Sequence, residues 1–217
     1  MTHAAPAGVI FDMDGVLVDS GAHHRAAWRA LLEELAAPPA AEEYWRLTIG
    51  RPAEEAVGRL LGRPLSPTEA RRLARRKHDH YARLAAHGLP AIRGAPAFVT
   101  ALRTHGVPCA VATSASRWDA ERLLGAIGLR RRFECLVAAD DVWRGKPEPE
   151  VYLKAAEGLG VEPACCLVFE DALVGVVAAR RAGMRVIGLT TAHSEAELTA
   201  AGAERTIADF EGLPWPV

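Results

Sequence analysis

Four short stretches of this sequence hold side chains suited to chemistry on a single substrate. Asp12-Met13-Asp14-Gly15 places two carboxylates two residues apart. In extended backbone residues i and i+2 face the same way, and Gly15 permits a sharp turn just beyond them. Glu170-Asp171 is a second acid pair, Thr113-Ser114 supplies two hydroxyls, and Lys146 is one of only three lysines among 26 basic residues. Adjacent carboxylates repel, so one takes up a proton or a cation binds between them. Four acids gathered at one place call for a hard divalent cation with oxygen ligands, and Mg2+ suits a site of few carboxylates and several waters. Lys146 and Thr113 offer the complementary chemistry, an ammonium and a hydroxyl for phosphate oxygens, and backbone N–H groups near Ser114 and at helix starts add donors. A carboxylate nucleophile, a second carboxylate for the leaving-group proton, a cation and a metal together make a phosphoryl-transfer site.

Taken singly, each stretch has a plainer reading. Asp-x-Asp pairs are common on surfaces, a threonine can simply end a strand, and a loop lysine can be solvated. An acid pair can sit at a helix N-terminus because the dipole favours it there. Gly145-Lys146 is not a phosphate-binding loop, because Pro147 stands where Ser or Thr is required and Asp140 where the first Gly belongs. The plain readings fail together, since all four stretches would have to coincide by chance at the ends of consecutive elements.

Those elements can be read from periodicity. Val9-Ile10-Phe11 is a short β-branched and aromatic run that fits a buried strand ending at Asp12. From Ser20 to Ala36, Trp28, Leu31, Leu32 and Leu35 recur at helical spacing, and Pro38-Pro39 ends the pattern. Residues 40–87 stay helical in character, with Ser66-Pro67-Thr68-Glu69 reading as a capping box with Pro in the first turn. Beyond residue 88 strands and helices alternate. Strands are predicted at 108–112, 135–138, 165–169, 185–189 and 205–208, and helices at 95–105, 119–127, 148–159, 173–182 and from Ser194. Short apolar strands alternating with amphipathic helices imply a doubly covered parallel α/β sheet, Rossmann-like in kind. Ligands bind at the carboxyl ends of such strands. Asp12 and Asp14, Thr113 and Ser114, and Glu170 and Asp171 each follow a predicted strand, and Lys146 lies in the loop after another.

Composition removes several classes of function. The chain has 217 residues, half of them hydrophobic, and a formal net charge of −1, so no polybasic field exists for nucleic acid or an anionic membrane. No apolar run reaches the ~20 residues of a membrane span, and the first residues lack the pattern of a signal peptide. Cys109, Cys135, Cys165 and Cys166 form no C-x-x-C pair and read as small buried hydrophobes in a reducing, cytoplasmic setting.

The motifs also bear a resemblance. F-D-M-D-G-V-L at 11–17, V-A-T-S at 111–114, G-K-P-E-P at 145–149 and F-E-D-A-L-V-G-V-V-A-A-R-R-A-G-M at 169–184 resemble, in order, the motifs of the haloacid dehalogenase superfamily, in its branch of helical-cap phosphatases and β-phosphoglucomutase relatives. The resemblance implies a core at 1–16 and 89–217 and a helical bundle cap at 17–88. It implies Asp12 as the nucleophile that forms an aspartyl-phosphate and Asp14 as general acid and then base, giving Mg2+ its backbone carbonyl. Thr113, Ser114 and Lys146 would bind the transferring phosphoryl group, and Asp12, Asp14, Glu170 and Asp171 would form the metal site, with Glu170 direct or through water. Ala172 departs from the Ser that many members carry. Asp14 argues against the dehalogenase and phosphonate-cleaving branches, which lack that acid.

From the cap, His24, Arg51 and Lys77 are candidates to meet the substrate. Arg71, Arg72, Arg75, Arg76 and Lys77 read as a solvated helix face, with Lys77 the one that could instead touch substrate, Trp28 reads as cap core, and Ser20, His78 and His80 receive no role. The function implied is hydrolysis of a small phosphorylated metabolite, a sugar or polyol phosphate, by a monomer or weak dimer. The alternatives are a hexose phosphate mutase and a non-enzymatic module that binds a phosphorylated ligand.

Overall fold

The computed structural model describes residues 5–38 and 45–217. Among the described residues, β1 (Gly8–Phe11) is followed by the helices α1 (Gly21–Glu34), α2 (Ala53–Leu60) and α3 (Pro67–Leu84). Strands and helices then alternate: α4 (Ala95–Thr104), β2 (Cys109–Ala112), α5 (Arg117–Ala126), β3 (Cys135–Val137), α6 (Glu150–Leu159), β4 (Cys166–Glu170), α7 (Leu173–Arg181), β5 (Arg185–Leu189), α8 (Glu195–Ala201) and β6 (Arg205–Ile207). The six strands form one sheet in the order β3-β2-β1-β4-β5-β6, with every pairing parallel. This is the α/β, Rossmann-like arrangement expected from the alternation.

The period-2 geometry of the strands sorts their side chains into two cores. Val9 and Phe11, Cys109 and Val111, Leu167 and Phe169, and Ile187 and Leu189 join the cluster on one face. Ile10, Ala110 and Ala112, Cys166 and Val168, and Val186 join the other, against Tyr152 of α6 and Val176 of α7. Covering both faces explains why the strands are continuous apolar runs and do not alternate with polar residues. Cys109 and Cys166 are buried as expected, but Cys135 is only partly so and Cys165 is exposed. Cys165 falls in a turn just before β4 rather than inside it.

The helical insert has an apolar cluster of its own. Trp28, Leu31 and Leu32 of α1 pack with Trp45, with Ala56, Val57 and Leu60 of α2 and with Leu73 of α3. Helix α1 ends at Glu34, followed by Ala36 at φ 51°, and Pro39 lies outside the described residues. Ser66 caps α3 by accepting from the Glu69 N–H, but the Glu69 carboxylate bonds Arg63. The predicted capping box is therefore only half formed. On α3, Arg71, Arg72 and Arg75 are exposed while Lys77 is buried, at 7% exposure.

Strand β1 is central, with β2 on one side and β4 on the other. Chain direction across the sheet reverses there, and its carboxyl end opens a crevice. Phe11, fully buried, is ringed by Phe98, Phe133, Phe169 and Phe210 at centroid distances of 5.2–6.4 Å. Phe11→Ala is expected to cost about 3–5 kcal/mol in urea unfolding. Trp143→Ala, at a side chain 94% exposed, should stay within about 0.5 kcal/mol.

Candidate active site

The crevice gathers side chains that follow four of the strands. Asp12 leaves β1 with its N–H donating to the Phe169 carbonyl of β4, 3.0 Å. Thr113 leaves β2 with its N–H on the Val137 carbonyl, 2.9 Å, and its Oγ1 accepts from the Ala115 N–H. Glu170 ends β4 and Asp171 follows it. Lys146, 1% exposed, enters from the loop before α6. Its Nζ donates to Asp12 Oδ1 at 2.6 Å and to Glu170 Oε1 at 2.7 Å, and it lies 5.0 Å from the Tyr152 ring centroid.

Glu170 is held by three donors, Lys146 among them. Oε1 also accepts from the Tyr152 hydroxyl at 3.1 Å, and Oε2 accepts from the Ala172 N–H at 2.6 Å. Gly175 of α7 makes room for it, since a Cβ there would overlap the Glu170 carboxylate. Asp171 is held by Thr191, whose Oγ1 lies 3.1 Å from Asp171 Oδ2 and 2.8 Å from the Gly15 carbonyl oxygen. His193 Nδ1–H donates to the Asp171 carbonyl at 2.9 Å.

Two neighbouring aspartates meet different surroundings. Gly15, at φ 76°, turns the chain immediately after Asp14, and a Cβ at that position would overlap the Asp171 carboxylate. Asp12 reaches inward to Lys146. Asp14 reaches His24 of α1, whose Nε2 stands 3.1 Å from Asp14 Oδ1. Lys77 of α3 approaches His24 Nδ1 at 2.7 Å. With the ammonium donating to Nδ1, the ring hydrogen sits on Nε2 and points at Asp14. Tyr81 stacks on His24 at a centroid distance of 4.2 Å, and Lys77 Nζ lies 5.3 Å from the Trp28 ring and 5.0 Å from that of Tyr81.

The electrostatics differ accordingly. Burial pushes Asp12 up to about 7, with Lys146 opposing and Glu170 and Asp14 adding to the rise. Burial, then Glu170 and Asp12, hold Asp171 well above the carboxylate range. For Lys146, burial works against the ammonium but is outweighed by Asp12 and Glu170, which hold it well above its ordinary value. Asp14 goes the other way: burial is overcome by His24, and its carboxyl lies below the usual range. Burial brings Lys77 down to about 8, with Asp14 and Asp119 resisting.

Carboxylate oxygens of Asp12, Glu170 and Asp171 lie within 4.8 Å of one another, and all three residues are buried. One ammonium cannot neutralise three buried carboxylates, and an all-oxygen donor set fits a hard divalent cation. These residues fit a metal. The Asp14 carboxylate is not among the three, because the Gly15 turn and His24 draw it toward the cap.

A cavity of about 420 Å3 lies between insert and core. Asp12, Asp14, Thr113, Ser114 and Asp171 line it from the core, and His24, Arg51 and Lys77 line it from the insert. Lys146 and Glu170 are not part of its lining; they lie among its supports. Ser114 Oγ donates to the Gly50 carbonyl at 3.2 Å, tying β2 to the loop that bears Arg51. Sequence reasoning missed Tyr152, Thr191, His193, Tyr81 and Asp119. Thr191 and His193 follow β5, so the rule that ligands bind at strand carboxyl ends would have found them. Tyr152 and Tyr81 lie within helices, away from any strand end.

The family described as haloacid dehalogenase-like hydrolase matches residues 6–183. The chain belongs to this family. Among curated relatives of this hydrolase, validoxylamine A 7'-phosphate phosphatase of Streptomyces hygroscopicus subsp. limoneus is 37% identical, over 95% of each chain. Fructose-1-phosphate phosphatase YqaB of Escherichia coli is 35% identical, over 83% of this chain and 95% of its own. Among solved structures, a β-phosphoglucomutase from Clostridium difficile superposes with a TM-score of 0.86 at 24% identity, over 97% of this chain and 94% of its own, a likeness of fold. The hydrolase has no helix among its described residues long and apolar enough to cross a membrane.

The acid cluster makes a testable demand on stability. Folding raises Asp12 from about 3.8 to about 7, so the folded protein binds the proton more tightly than the unfolded chain. Stability therefore falls as pH rises from about 4 to about 7 in EDTA. A divalent cation competes with those protons, so the rise in Tm on adding Mg2+ should grow between pH 5 and pH 8. A Tm gain independent of pH, read by differential scanning fluorimetry, would place the metal elsewhere.

Proposed function

We propose that this hydrolase is a Mg2+-dependent phosphatase that removes phosphate from a small phosphomonoester, a sugar or polyol phosphate, through an aspartyl-phosphate on Asp12. The observation that carries this reading is the division of labour between the two aspartates. Asp12 sits against Lys146 and lines the cavity, while Asp14 lines it too but is turned to His24.

In the first half-reaction a carboxylate oxygen of Asp12 attacks phosphorus as the ester P–O bond breaks, and Asp14, which takes up a proton when the anionic phosphate enters beside it and offsets the pull of His24, gives that proton to the departing oxygen. In the second, Asp14 takes a proton from water, the water oxygen attacks phosphorus, and Asp12 is released with inorganic phosphate. Thr113 and Ser114, which line the cavity, hold the phosphoryl oxygens during both, and Lys146, bonded to Asp12 just behind that lining, offsets their charge. Asp12, Glu170 and Asp171, with the Asp14 backbone carbonyl, would hold Mg2+. Bound there, the ion supplies positive charge that offsets the phosphoryl oxygens and the acid cluster.

A mutase would share every one of these groups and differ only in what receives the phosphoryl group, water or a second oxygen of a sugar phosphate. We favour hydrolysis because both curated relatives named above are phosphatases and because water makes fewer demands on the cap. Lys77 is expected to act through Asp14 as well as near the substrate, since it bonds the histidine that bonds that carboxylate.

Asp12→Asn should lower phosphate release by several orders of magnitude while the fold survives. EDTA should abolish turnover, Mg2+ should restore it, and Ca2+ should inhibit, being larger and looser in its coordination. Full activity of purified Asp12→Asn or in EDTA would sink this chemistry. Incubating glucose 1-phosphate with and without glucose 1,6-bisphosphate, and following glucose 6-phosphate against free phosphate, separates phosphatase from mutase. Lys77→Ala should lower kcat at least tenfold even on p-nitrophenyl phosphate. A change confined to KM would mean that Lys77 only binds substrate.

A further inference from the structure

One strip of the cap, residues 46–52, meets the core at four places. Ser114 Oγ, after β2, bonds the Gly50 carbonyl. A Cβ on Gly145, after β3, would crowd Pro52, and a Cβ on Gly50 would overlap Ala172 and crowd Val174, after β4. The fourth contact is ionic: the Arg46 guanidinium donates to Glu197 Oε1 of α8, after β5, at 2.5 Å. Arg46 also lines the cavity. The chemistry above uses neither Arg46 nor Glu197.

Glu197 is prepared for this contact. Its Oε2 accepts from the Ser194 N–H at 2.9 Å and from the Ser194 hydroxyl at 2.6 Å, closing the capping box of α8. Oε1 is left to face the cap. Ser194, by side chain and backbone, and then Arg46 hold the carboxyl below the usual range, so it stays charged. Ser194 ends the β5–α8 loop, and that loop holds Asp171 through Thr191 and His193. The ion pairs His24–Asp14 and His78–Asp119 also join cap to core, but neither reaches this loop. An ion pair as exposed as Arg46–Glu197 adds little to the stability of a domain. Substrate, however, must enter a cavity walled by cap and core, so the two part in every turnover. In such an equilibrium a severalfold shift in the closed population changes what the site binds.

We propose that Arg46 and Glu197 are positioning residues whose ion pair straps the shut cap to the β5–α8 loop and so steadies Asp171 at the metal-binding edge. Closure of the cap and binding of the cation then favour one another, since linkage is reciprocal. The assignment rests on the phosphatase reading, in which Asp171 helps to hold Mg2+.

The test titrates Mg2+ by calorimetry into the substrate-free full chain, Arg46→Ala, Arg46→Lys, Glu197→Gln and the double variant Arg46→Ala/Glu197→Gln. KM and kcat on p-nitrophenyl phosphate are measured for each at saturating Mg2+. Gln at position 197 can still accept from Ser194, so the capping box is kept. Arg46→Ala and Glu197→Gln should each weaken Mg2+ binding about threefold to fivefold and raise KM by a similar factor, with kcat changed less than about twofold. The double variant should bind Mg2+ no worse than either single variant, and Arg46→Lys should keep most of the affinity. The sign for Arg46→Ala separates a strap from a mere field, because removing a cation near acids strengthens cation binding through space. Tighter or unchanged Mg2+ binding by Arg46→Ala, additive losses in the double variant, or an unchanged KM would overturn the strap and leave the phosphatase reading intact. Absence of turnover by the unsubstituted enzyme on this ester and on sugar phosphates would overturn the phosphatase reading, while the Mg2+ titration would still judge the strap.

Discussion

Burying Asp12, Glu170 and Asp171 together at one sheet edge costs several kcal/mol per charge in a medium that solvates ions poorly. Lys146 offsets part of that cost by reaching two of the three carboxylates from a site with 1% exposure. Much of the surrounding structure serves this contact. Tyr152 and the Ala172 N–H take two more lone pairs of Glu170 and leave one on Oε2. Gly175 lets helix α7 pass without a side chain where that carboxylate lies, and Thr191 and His193 hold Asp171 from the β5 loop. Removing one partner of such a cluster leaves a buried charge uncompensated, which is worse than never having had the pair.

The same edge treats two aspartates two residues apart as different reagents. The turn at Gly15 separates them, and the insert completes the separation by presenting His24 to Asp14 with Lys77 behind it. One carboxyl is pushed up by burial among acids, the other held down by a histidine and an ammonium. Two carboxyls two residues apart thus meet opposite surroundings, the condition under which neighbouring groups can take separate roles.

The insert does this from a platform with its own apolar cluster, in which Trp28 and Leu73 are buried. Its helices pack on one another, and the loop bearing Gly50 and Arg51 is tied to the core through Ser114. His24 and Lys77, which lie beside Asp14, are therefore carried by helices that pack on this cluster, while Ala27 and Tyr81 of the same helices join the core on one face of the sheet.

Much was legible in the sequence because strand and helix periods are local. The runs at 9–11, 108–112, 165–169 and 185–189 announced buried parallel strands, and the parallel order put Asp12, Thr113, Lys146, Glu170 and Asp171 at one edge before any contact was known. Boundaries moved by a residue or two where caps decided them, as at Ser116, whose hydroxyl starts α5 earlier than apolar spacing suggested. Side-chain direction was not legible. The i, i+2 rule aimed Asp12 and Asp14 the same way, but it holds only in extended backbone, and the chain turns at Gly15. Lys77 stood in a run of arginines that reads as a solvated face, and only the packing of α3 against α1 shows its side chain directed inward to His24. Asp119, Tyr81 and Thr191 are ordinary letters in their own segments. What makes them a site is a meeting of segments up to a hundred and more residues apart, which no local pattern encodes.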